Sequence, residues 1–68
     1  MTLDEALLDA HARGDQSALV TLYTRAAEKA EDGDAACFFL TQAYVLALEA
    51  GNAATPTLYA RLKAHGRV

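Results

Sequence analysis

Sixty-eight residues with a formal net charge of −3, a single cysteine and no tryptophan suffice for one small domain, and a chain of that size buries only about 60% of the surface its unfolded form exposes. Cys37 alone excludes an internal disulfide and two isolated histidines give no zinc spacing, which leaves self-association as the device expected to stabilise the fold. The acidic balance argues against a general nucleic-acid binder, the acidic opening "MTLDEALLDA" against a signal peptide, and the longest apolar segment, residues 35–48, is shorter than the roughly 20 residues that span a bilayer.

The first element is expected near residues 3–13. "TLDE" places Thr2 at an N-cap with Glu5 three residues on, a capping-box spacing, and Gly14 supplies the stop. A second helix, near 16–32, starts behind Asp15 as cap. It shows one apolar stripe, Leu19, Leu22, Tyr23, Ala26 and Ala30, opposite Thr21, Arg25, Glu28 and Asp32, and so is expected to pack one face only. Gly33 is expected in a left-handed turn that ends this helix, with Asp34 capping the next.

The third helix, near 35–50 and ended by Gly51, is the most apolar. At about 100° per residue, Ala36, Leu40, Ala43 and Ala47 share one sector, Phe39, Leu46 and Ala50 a second, and Cys37, Tyr44 and Leu48 a third. Such a helix is expected to be central. Its remaining sector mixes Phe38 and Val45 with Gln42 and Glu49, two apolar side chains left to face water beside two polar ones. These four are the candidate partner interface. The fourth helix, near 56–65, has Thr55 as its expected cap, Pro56 at the first helical position and Gly66 beyond its end.

Sixteen alanines and the absence of any Val/Ile/Thr alternation make the chain all-α, a single helical domain over 1–68 built from two antiparallel hairpins near 3–32 and 35–65. The two halves repeat. "TLYTR" at 21–25 recurs as "TLYAR" at 57–61, and Ala6 and Ala10 are matched by Ala43 and Ala47, a period of 36 to 37 residues. The halves differ in charge: residues 1–34 carry eight acids against three cations, net −5, and residues 35–68 one acid against three cations, net +2.

In "AYVLALEAGN" the run Tyr44, Ala47, Leu48, and in "AAEKAEDGD" the small residues before a Gly-Asp turn, resemble the tetratricopeptide-like helical repeats. That resemblance implies stacked antiparallel helix pairs whose concave side binds partner peptides.

Candidate chemistry is sparse. Cys37 near the start of the third helix could carry a reactive or redox-sensing thiol, with His11 or His65 as a base, but no CxxC or protease signature accompanies it and it reads as a small core residue. No catalytic residue, metal site or cofactor is assigned. Arg61, Lys63, His65 and Arg67 form a basic tail without interleaved aromatics beyond Tyr59. The expected function is therefore a non-enzymatic, cytoplasmic interaction module, a homodimer able to dock a protein or peptide, with no nucleic acid and no membrane. The alternatives are a small-molecule accessory with a pocket near Cys37 and Tyr44, and a small DNA-binding regulator using the fourth helix.

Overall fold

The computed structural model describes residues 2–66; Arg67 of the basic tail lies outside them. They form four helices and no strand: α1 (Leu3–Arg13), α2 (Gln16–Lys29), α3 (Gly33–Ala50) and α4 (Thr55–Ala64), paired as two hairpins. The Thr2 hydroxyl accepts the Glu5 N–H at 3.1 Å and donates to the Glu5 carboxylate, so α1 begins where the TLDE spacing puts it. Asp15 likewise accepts the Ala18 N–H. Gly14 and Gly51 end α1 and α3 at φ +64° and +63°. Past each of them the next residue's N–H returns into the helix, from Asp15 to the Ala10 carbonyl and from Asn52 to that of Ala47. This is the Schellman arrangement that only glycine enters without a Cβ penalty. At the same turn Arg13 bridges Asp9 (2.9 Å) and Asp15 (3.2 Å), and the Asp9 hydrogen bond and charge hold its pKa above the ordinary arginine value.

The junction between α2 and α3 departs from the sequence expectation. α2 ends at Lys29, Ala30 is extended, and Gly33 is the first residue of α3 with an ordinary negative φ. Asp32, not Asp34, is the N-cap, accepting the Ala35 N–H at 2.7 Å. The reason is electrostatic. Continuing α2 through Glu31 and Asp32 would set two carboxylates at the negative end of its dipole, whereas starting α3 early places Asp32 and Asp34 at a positive end. α4 also starts differently: Ala54 is its N-cap, with no side-chain bond, and Thr55 and Pro56 are its first two residues. Asn52 does the capping work instead, its side chain accepting the Ala54 N–H and its carbonyl the Thr55 hydroxyl, both at 2.8 Å.

The helix backbones approach closely only between chain neighbours, α2 and α4 meet through side chains, with Arg61 Nη1 3.7 Å from Glu28 Oε1, and the Cα trace measures 32 × 28 × 12 Å, a flat assembly. Val20 and Ala27 of α2, Leu40, Ala43 and Ala47 of α3, and Leu58 and Leu62 of α4 form one core, with Ala10, Leu19 and Ala26 buried as well. Leu40, Leu58 and Leu62 are each about 1% exposed, and burying a leucine fully is worth about 1.5–3 kcal/mol. α2 therefore packs on two sides, α1 on one and α3 on the other, and not on one face only. The second side was hidden because it is built from Val20 and Ala27, small residues that read as filler in a wheel but allow α3 to approach closely.

Candidate functional site

The geometry of α3 follows from its two neighbours. Phe39 stacks on Tyr23 of α2 with ring centroids 6.4 Å apart, and Tyr44 meets Tyr59 of α4 at 6.1 Å, so α2 and α4 each pack on α3, and they meet each other at the Arg61–Glu28 ion pair. Leu40, Ala43 and Ala47 point into the core between them. The side turned away from that core belongs to Phe38 and Val45, which stay 59% and 45% exposed. Gln42 is half-buried and Glu49 exposed, reached by the Gln16 amide at a long 3.5 Å. The structure thus brings the four candidate interface residues onto one side of α3.

Leu48 was expected within an apolar sector facing the interior, yet it is 53% exposed. α4 is short, and its contact with that sector is made by Tyr59 against Tyr44. Leu48 joins Phe38 and Val45 as a third exposed apolar side chain.

A second feature adjoins this stripe. No Cα of α1 comes within 8 Å of one in α3, so the two helices stand apart over α2. Tyr23 lies between them: its hydroxyl is 3.0 Å from His11 Nε2 on the α1 side, and its ring faces Phe39 on the α3 side. Between α1 and α2 lies a shallow depression of about 370 Å³ lined by Asp4, Leu7, Leu8, His11 and Tyr23. Leu8, on its rim, is 70% exposed, the most exposed of the large apolar side chains described.

The total surface, 4272 Å², is close to the ~4,100 Å² usual for a chain of this mass. What sets this surface apart is placement. Leu8, Phe38, Val45, Leu48 and Tyr59 are the large hydrophobics left exposed among the described residues; Leu8 lines the depression between α1 and α2, and Phe38, Val45 and Leu48 lie on α3. The repeat foreshadowed this: a 37-residue shift carries Leu8 onto Val45, and a 36-residue shift carries Tyr23 onto Tyr59. The His11–Tyr23 pair and the depression beside it depend on how α1 packs on α2, for which the sequence holds no local signal.

Cys37 is buried at 4% exposure, as a core residue should be. A shallow recess lined by Asp34, Cys37, Phe38, Thr41 and Gln42 passes over it, but Tyr44, two turns further along α3, does not line it. His11 and His65 are both exposed. Among the described residues no group of three or more His, Cys, Asp or Glu side chains is placed to hold a metal ion, and no helix is long and apolar enough to cross a membrane. Comparison of the chain with protein-family models, curated proteins and solved structures finds no match.

Proposed function

We propose that this protein is a non-enzymatic interaction module that self-associates through the exposed side of α3 and docks a protein partner. The observation that carries the reading is the pair Phe38 and Val45, 59% and 45% exposed on the most apolar helix of the chain and flanked by Gln42 and Glu49. An apolar centre with a polar rim is the anatomy of a protein contact. The cytoplasm suits an unpaired, buried Cys37.

Light scattering at micromolar concentration should report twice the 7.2 kDa chain mass. Phe38→Glu should return the mass to one chain while circular dichroism stays helical, because Phe38 contributes little to the core it faces away from. A wild-type chain that stays folded and monomeric as its concentration is raised would defeat the self-association.

A further inference from the structure

The hairpin of α1 and α2 holds a second hollow, which shares no residue with the depression beside His11: a cavity of about 320 Å³ lined by Thr2, Leu3 and Ala6 on one side and by Leu22, Arg25 and Lys29 of α2 on the other. We infer that it is a binding site for a small organic monoanion, a carboxylate carrying a single ring or a short aliphatic chain. The inference goes beyond the interaction module proposed above and is independent of it, since no residue of α3 or α4 lines the cavity.

Charge comes first. Residues 1–34 hold eight acids and three cations, and two of those three cations, Arg25 and Lys29, stand one turn apart on α2 and line the same cavity. Like charges at that spacing destabilise a helix, and neither side chain forms an ion pair with a described residue. Two neighbouring acids are committed elsewhere: Glu28 reaches Arg61 at 3.7 Å, and the Glu5 carboxylate accepts the Thr2 hydroxyl at 3.1 Å. The cavity is thus lined by two cations and no carboxylate, whereas the depression beside His11 includes Asp4 and the recess over Cys37 includes Asp34. An anion between Arg25 and Lys29 relieves their repulsion and pairs both.

The rest of the wall decides which anion. Leu3, Ala6 and Leu22 are half-buried and apolar. Phosphate would give up hydration against that surface and gain nothing from it, while a carboxylate with an apolar group sets its two oxygens against the Arg25 fork and its carbon against the leucines. Asp4 and Glu5 lie in the turn of α1 between Leu3 and Ala6, and their repulsion favours one negative charge over two. A volume of 320 Å³ is at the low end of the roughly 300–1,000 Å³ of small-molecule sites, so the ligand is small.

Titration of the isotope-labelled chain with phenylacetate, followed through amide chemical shifts, tests the site. Phenethylamine, with the same ring and the opposite charge, and inorganic phosphate are the comparison probes. Phenylacetate should saturate with a dissociation constant on the order of millimolar, moving the amides of Leu3, Ala6, Leu22, Arg25 and Lys29, and the other two should move them much less. Arg25→Gln combined with Lys29→Gln should weaken binding roughly tenfold or more. Both side chains are exposed, so the helical spectrum should be unchanged. Lys29→Arg should keep the affinity, and Lys63→Gln, which removes a cation of α4 outside the cavity, should leave it untouched. Equal shifts with phenethylamine would reduce the site to an apolar dent, and equal shifts with phosphate to a pair of surface cations. Either result overturns the inference, as does an absence of saturation with phenylacetate or an affinity unchanged in the double variant. A chain that proves monomeric leaves this test intact.

Discussion

Three glycines that look alike in the sequence, each following an apolar run before a polar residue, do two different jobs, and the difference is measurable. Gly14 and Gly51 sit at φ +64° and +63°, while Gly33 has an ordinary helical conformation with nothing within 4 Å of where a Cβ would stand. Gly51→Ala should cost about 1–2 kcal/mol, the penalty of an L side chain in the left-handed region. Gly33→Ala should be neutral or stabilise by up to about 1 kcal/mol, since it removes unfolded-state freedom at no steric cost. Thermal unfolding of the pair decides it, and a loss at Gly33 equal to that at Gly51 would return the α2–α3 boundary to the glycine. Cys37 is legible from composition alone: a single thiol amid Ala and Phe belongs in a core, and at 4% exposure it should label slowly with thiol reagents in the native state and fast after denaturation. Rapid native labelling at pH 7 would contradict that burial.

At the scale of the helix, starts and stops were readable wherever one cap residue had no rival. Thr2 and Asp15 cap as their spacing implies, and Gly14 and Gly51 stop as they should. The reading failed at "EDGD", where Asp32 and Asp34 compete and the choice turns on which helix end the carboxylates face, and at "GNAATP", where Asn52 caps from a turn outside α4. Asn52→Ala should therefore destabilise by about 0.5–2 kcal/mol, as loss of a helix cap does, whereas a result near zero would move the cap to Thr55. The faces of helices are less legible than their ends, because a face is apolar only relative to a neighbour. Val20 and Ala27 turned α2 into a two-sided helix, and the shortness of α4 left Leu48 outside. Ala27→Leu should cost about 1–3 kcal/mol by overpacking the seam between α2 and α3, while Ala12→Leu, on an exposed side of α1, should change stability by no more than about 0.5 kcal/mol. Equal effects of the two would mean that α2 packs on α1 alone.

For the molecule as a whole, the self-association proposed above would link folding to association. Among the described residues no helix packs over the outward side of α3, where Phe38 and Val45 stay exposed. Covering the exposed 59% of Phe38 is worth about 1–2 kcal/mol per chain, comparable to a sizeable share of the stability of so small a domain. A dimer in which only folded chains associate must then unfold at a temperature that depends on concentration. Above the dissociation constant a tenfold rise in concentration adds about 1.4 kcal/mol per mole of dimer, or about 0.7 per chain, and for a domain of this length that corresponds to roughly 3–6 °C in Tm. Calorimetry across two decades of concentration should show that slope for the wild-type chain and none for Phe38→Glu, whose Tm should match the wild-type value extrapolated to high dilution. A wild-type Tm that does not move with concentration would mean that the outward side of α3 contributes nothing to the folded state by self-association, whatever else binds there.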